Sequence, residues 1–127
     1  MRLQDWWDKM KLIIGGAWQG KATWASENWG VERFGDFPAE HCVGQCHLER
    51  FSKACTEAGR DPVAEAEALR PLWENCVLIS REVGCGVVPM DAVERQWRED
   101  HGRLLRYFAR EADTVVRIFC GLPEVLK

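Results

Sequence analysis

Three short apolar runs, spaced by stretches of helical periodicity, constrain the fold more than any other feature. They are Lys11-Leu12-Ile13-Ile14 ahead of Gly15-Gly16, Cys76-Val77-Leu78-Ile79-Ser80, and Thr114-Val115-Val116-Arg117-Ile118-Phe119-Cys120 ahead of Gly121. Runs this short and this rich in β-branched residues suit strands buried on both faces. Strands separated by helices pair as a parallel sheet through right-handed crossovers. A chain of 127 residues supplies one such core. The expected fold is therefore a single compact α/β domain with a mainly parallel sheet flanked by helices.

The intervening segments place the helices. Residues Ala22 to Asn28 can be helical, and Gly30 and Gly35-Asp36-Phe37-Pro38 then break the chain. Glu40 to Ala58 is helix-compatible, with Phe51, Cys55 and Ala58 on one face and Gly59 as the stop. Asp61 is an N-cap and Pro62 a first helical residue for a helix to about Arg70. Asp91 caps the longest helix, about Ala92 to Ala112, whose apolar face holds Trp97, Leu104 and Phe108. Gly102 lies inside it, where glycine costs about 1 kcal/mol relative to alanine, and so points to close packing or a ligand there. Met1 to Lys9, with Trp6 and Trp7, falls outside this pattern as an extra helix or an extension ahead of a start at Met10.

Composition narrows the function classes. Net charge is −3 with basic residues dispersed, so a nucleic-acid stripe is not expected. The longest apolar runs are far shorter than a membrane span requires. The first ten residues lack the apolar core of a secretory signal, so the expected compartment is the cytoplasm. There the six cysteines are expected to be free thiols.

Four clusters can carry chemistry. Gly15-Gly16-Ala17-Trp18-Gln19-Gly20-Lys21 fits G-x-x-x-x-G-K, with a strand ahead and a helix behind. It reads either as a loop whose backbone N–H groups and lysine hold phosphates or as a plain glycine turn. Ala22 stands where that pattern has a Mg²⁺-ligating hydroxyl, and Thr23 follows it. Glu82 ends the second strand, where open α/β sheets place ligands; it reads either as a Mg²⁺ ligand or as a surface acid. His41-Cys42 and Cys46-His47 offer soft ligands, but their spacing is poor for zinc. Arg95 to Arg103 is rich in charge, as the solvated side of a long helix would be.

Taken in order, these pieces resemble one family. The phosphate-loop pattern, Glu82-Val83-Gly84-Cys85-Gly86-Val87-Val88-Pro89, the run Arg95-x-x-Arg98 to Gly102-Arg103 and the final Val115-to-Gly121 strand with Leu126-Lys127 carry the resemblance. The family is the bifunctional adenosylcobinamide kinase / adenosylcobinamide-phosphate guanylyltransferase of cobalamin biosynthesis. Residues from about Ala25 to Glu74 carry few of its motifs.

The resemblance implies a P-loop nucleotide-binding fold and a homo-oligomer, a trimer. It implies small-molecule substrates: adenosylcobinamide, phosphorylated by a nucleoside triphosphate, and GTP, whose GMP passes through a histidine to the phosphate. ATP and GTP are then substrates, with Mg²⁺ as cofactor. The nucleotide would sit on Gly15, Gly16, Ala17, Trp18, Gln19, Gly20, Lys21, Ala22 and Thr23. Lys21 and Glu82 would be catalytic, with Val83, Gly84, Gly86 and Pro89 beside them and Arg95, Arg98 and Arg103 on the long helix. His47 is the expected nucleophile, being followed closely by Arg50, and His41 is the fallback. His101 lies inside the arginine-rich motif, where the family's nucleophile does not occur. A single-activity or non-catalytic nucleotide-binding relative with a partner-binding role is the alternative.

Overall fold

The parallel pairing of the three expected strands forms the centre of the molecule. A computed structural model describes residues 10–16, 20–83 and 91–127. Strand β1 (Lys11–Gly15) lies between β4 (Val77–Arg81) and β5 (Thr114–Phe119), parallel to both. Among the described residues the sheet has six strands, in the order β2 (Phe34–Asp36), β3 (Gly44–Cys46), β4, β1, β5 and β6 (Leu122–Val125). All neighbours are parallel except β5 and β6.

Alternation along the strands divides the core into two layers. Leu12, Leu78 and Val115 point to one face, where they meet Leu48, Trp73, Leu104 and Phe108. Ile13, Ile79, Val116 and Ile118 point to the other, against Ala25 and Val31. The second layer is covered by α1 (Lys21–Trp29). The first is covered by α2 (Leu48–Glu57), α3 (Pro62–Ala68), α4 (Arg70–Trp73) and α5 (Ala92–Glu111). Trp73 is fully buried, edge-on to Phe108 with ring centroids 4.9 Å apart, and its Nε1 donates to the Ala66 carbonyl at 2.7 Å. The caps expected at the helix starts are present. Asp61 accepts from Val63 N, and Asp91 from Val93 N and Glu94 N.

Four expectations need correction. The segment from Glu40 is not one helix. It makes a turn, then β3 (Gly44–Cys46), and only then α2. The break at Gly35-Asp36 is itself β2 (Phe34–Asp36), paired in register with β3. Gly44 belongs to the strand because a Cβ there would meet the Arg33 carbonyl oxygen at 2.8 Å and Phe34 Cδ1 at 2.7 Å. The last strand also stops sooner than Cys120. Cys120 and Gly121 take φ of 53° and 75°, a two-residue turn that reverses the chain into β6 (Leu122–Val125).

Gly102 is the fourth. A Cβ there would meet only Arg106 Nη1, at 3.5 Å, an ordinary contact. Tight packing against the protein does not account for the glycine. Gly102→Ala is therefore expected to stabilise the protein by about 0.5–1 kcal/mol, read as a rise in the chemical denaturation midpoint with an unchanged slope. A fall in the midpoint would show that the position is constrained.

Candidate functional site

The carboxyl ends of four parallel strands converge on one edge of the sheet, where open α/β folds bind ligands. Each end contributes a segment. Strand β1 runs into Gly15-Gly16, β2 ends at Asp36, β3 at Cys46, and β4 at Arg81 ahead of Glu82. A cleft of ≈ 750 Å³ lies there, and its lining includes Lys21, His47, Arg50, Lys53, Arg81 and Trp97.

The glycines of the first loop have local causes. A Cβ on Gly15 would sit 2.6 Å from the Ile118 carbonyl oxygen, so only glycine lets β1 lie this close to β5. Gly20 adopts φ 79° as the N-cap of α1, a left-handed conformation that disfavours a side chain. Lys21 follows, and its Nζ donates to the Gly16 carbonyl at 2.7 Å. Burial lowers the Lys21 pKa, with Glu49 opposing the shift and Arg81 adding to it. Gly20, Lys21, Ala22 and Thr23 line the cleft. Ala17, Trp18 and Gln19 lie outside the described residues.

His47 stands at the start of α2 with φ 63°, and its backbone carbonyl accepts from Arg50 N at 3.0 Å. Its Nδ1 is 2.5 Å from Asp36 Oδ1, and Arg50 Nη1 lies 3.9 Å from Asp36 Oδ2. The hydrogen bond with His47 holds the Asp36 carboxyl below its usual pKa. Cys46 shares the cleft, but burial, with Asp36 and Glu49, pushes its thiol up to about 11. That thiol is protonated at neutral pH and is a poor nucleophile beside the imidazole. His41 is exposed on the turn before β3, with φ 57°.

The remaining sequence candidates are dispersed. Glu82 N donates to the Gly15 carbonyl at 2.9 Å, joining the two loops, while Glu82 Oε2 receives Arg117 Nε at 3.2 Å. Val83 follows it, partly buried, and Gly84, Gly86 and Pro89 lie outside the described residues. On α5, Arg95 is exposed and Arg98 half-buried. Arg103 pairs with Asp61 at 3.2 Å and Asp100 at 3.0 Å, tying α5 to the cap of α3. Its visible role is structural.

The donor set tests the Mg²⁺ expectation. Ala22 has no oxygen to offer, and Glu82 is engaged by Arg117. Among the described residues no group of three or more His, Cys, Asp or Glu is placed to hold a metal. These side chains do not by themselves form a Mg²⁺ cage; a nucleotide-borne Mg²⁺ is held mainly by phosphates and water, with one or two protein oxygens. Cys42, Cys46, Cys55 and Cys76 are free thiols.

Sequence reasoning missed the residues that organise this edge. Asp36 was hidden in an apparent turn, and Glu49, Lys53, Arg81 and Trp97 carried no motif. His101 is the largest surprise. It is fully buried, with Nδ1 2.7 Å from Ser52 Oγ and Nε2 3.1 Å from the Arg81 carbonyl oxygen. A carbonyl only accepts, so Nε2 carries the proton and Nδ1 is the acceptor facing Ser52 Oγ, whose one proton is shared between Nδ1 and the Glu49 carbonyl at 3.1 Å. Trp97 Nε1 donates in turn to Ser52 Oγ at 2.9 Å. This chain clamps α2 and α5 onto the end of β4, directly beneath the cleft. The side chain of Glu49 adds a further tie, accepting from Arg81 N at 3.0 Å. The only sequence signal was a histidine at helical spacing from Trp97 and Leu104.

Strand order, helix cover and a ligand edge at the strand ends define an α/β phosphate-loop class of nucleotide-handling protein. The family model described as cobinamide kinase / cobinamide phosphate guanyltransferase matches residues 42–126, and the chain belongs to that family. Its members are nucleotide-using transferases of cobalamin biosynthesis. The match takes in His47, Glu82 and the whole of α5, but starts after the glycine loop at 15–21. It also covers much of the middle segment, where motifs were sparse. No curated protein matches the chain. No described helix is long and apolar enough to cross a membrane.

Burial lowers the pKa of His101 from 6.5, with the Arg81 carbonyl and Glu49 opposing the shift. A base with a depressed folded pKa is uncharged in the native state while the unfolded chain takes up a proton. Its contribution is thus complete above pH 6.5 and is lost as pH falls from there towards the folded pKa. The thermal midpoint should fall in that window, as pH drops below 6.5. His101→Gln should be less stable at pH 7.5 and show a shallower slope in that window. An unchanged slope would exclude His101 as its source.

Proposed function

We propose that the protein transfers GMP from GTP, through His47, to adenosylcobinamide phosphate, and that it also phosphorylates adenosylcobinamide. The observation that carries this reading is an accessible imidazole in a cleft walled by Lys21, Arg50, Lys53 and Arg81. An imidazole nitrogen is a competent nucleophile and leaving group at neutral pH. Four cations match a substrate with a charged triphosphate, and positioning and charge neutralisation carry most of the rate in phosphoryl transfer.

The steps balance. The ring nitrogen bonds to the α-phosphorus of GTP while its bond to the β-phosphate oxygen breaks, releasing pyrophosphate. An oxygen of adenosylcobinamide phosphate then attacks the same phosphorus, and the P–N electrons return to the ring. The product is adenosylcobinamide-GDP. In the kinase step, Lys21 would leave the Gly16 carbonyl for the terminal phosphates. The proposal extends the nucleotide contacts to Gly15 through Thr23, assigns the substrates as ATP and GTP, and places the enzyme in the cytoplasm as a homo-oligomer, a trimer.

A second reading, guanylyl transfer without kinase activity, is favoured by Ala22 and by the Glu82–Arg117 pair. Both leave the phosphate loop short of the oxygen ligands that kinases use for Mg²⁺. Glu82 would then act by holding the loop to β5.

Incubation with GTP labelled on the α-phosphate separates these readings. Wild-type protein and His41→Ala should retain label and release pyrophosphate, whereas His47→Ala should retain none. Label persisting on His47→Ala excludes that residue. With ATP or GTP, Mg²⁺ and adenosylcobinamide, Lys21→Ala should lower phosphorylation by about 100-fold or more. If wild-type protein forms neither product, the enzyme reading is lost, and nucleotide calorimetry decides whether a binding role remains.

A further inference from the structure

We infer that Asp36 is the positioning residue of the guanylyl-transfer step: it holds the proton of His47 on Nδ1 and so makes Nε2 the attacking nitrogen. The inference rests on the transfer reading above and adds to it the choice of nitrogen and the residue that enforces it.

Neutral imidazole has one protonated and one nucleophilic nitrogen, and a carboxylate at one of them fixes which is which. Asp36 Oδ1 lies 2.5 Å from Nδ1, so Nδ1–H is the donor and the lone pair resides on Nε2. Among the described residues no hydrogen bond is made by Nε2, and the ring lines the cleft.

The backbone makes the pairing obligatory. In the parallel register of β2 and β3, Asp36 stands opposite Cys46, so the carboxylate ends one strand where His47 leaves the other. The left-handed φ of 63° at His47 turns the chain from β3 into α2 at that point. Arg50, one turn into α2, approaches the second carboxylate oxygen. Asp36 is 68% exposed, so the bond is not a by-product of burial. Among the described residues its carboxylate is engaged by His47 and Arg50 alone.

The pairing suits both half-reactions. When Nε2 bonds to phosphorus, Nδ1 keeps its proton and the ring becomes cationic. The Asp36 carboxylate opposes that charge. When the acceptor phosphate attacks, the P–N electrons return to Nε2 and the ring is again neutral with Nδ1–H. No proton leaves the ring in either direction. The same logic underlies carboxylate–histidine pairs in acyl transfer, where an amide in place of the carboxylate favours the wrong tautomer.

Asp36→Asn tests this, because an amide presents its N–H to Nδ1 and favours the Nε2–H form. Ring 1H–15N correlations of histidine-labelled protein, assigned with His47→Ala, should show Nδ1–H at His47 in wild-type protein. They should show a shift towards Nε2–H in Asp36→Asn, with an unchanged thermal midpoint. Labelling by GTP should slow by roughly 100-fold with KM for GTP within about twofold, and the wild-type adduct should be on Nε2. Wild-type labelling rates in Asp36→Asn, an adduct on Nδ1 or a wild-type ring protonated on Nε2 would each overturn the inference. If wild-type protein takes no label while the ring shift occurs, the tautomer assignment stands and the transfer reading fails.

Discussion

A buried imidazole holds the working edge of this protein together. His101 receives Ser52 from α2, gives its proton to the end of β4, and is itself carried by α5. Three elements that each contribute to the cleft therefore meet in one hydrogen-bonded chain. Buried polar groups are costly unless fully paired. No buried side-chain polar atom among the described residues lacks a partner, and this chain is the densest instance. The arrangement has a rigid consequence. His47 stands five residues ahead of Ser52, so the position of its ring is set from below by a buried histidine.

Charge is distributed against the average. The chain is net acidic at −3, yet Lys21, Arg50, Lys53 and Arg81 gather on one edge. The acids near them are occupied rather than free: Asp36 with His47, Glu49 with Arg81 N, and Glu94 with Lys53. Lys53 and Arg50 are balanced in part by Glu94 and Asp36, and Glu49 lines the cleft, so Lys21 and Arg81 supply the excess positive charge there. Lys53 also lies 5.1 Å from the centre of the Trp97 ring, which holds a long flexible side chain against the wall.

The central fold was legible because its signals are long and redundant. Strands β1, β4 and β5 are continuous apolar runs, and α5 has a cap, an amphipathic face and 20 residues. Strands β2 and β3 have only three residues each and contain glycines, so they show no periodicity. Strand β6 is exposed at every position and carries Pro123, features that suit an edge and read as a tail. The site followed the same rule. Lys21 and His47 carried local motifs and lie in the cleft, whereas Asp36 is meaningful only through its register with β3. Glu82 and Arg103 carried motifs as well, but their visible contacts are with Arg117, Asp61 and Asp100. A local pattern identifies a residue type at a strand end; it does not say which neighbour the side chain will meet.

The left-handed backbone at His47 has a consequence for how this position responds to selection. An L-residue with a branched ring in that conformation is held at a disadvantage of about 1–2 kcal/mol relative to glycine. Glycine or asparagine would suit the same turn with less strain. Selection for thermal robustness alone should therefore erode the histidine, and the chemistry proposed for it would retain it. Under that proposal, position 47 is a place where durability and activity pull the sequence in opposite directions.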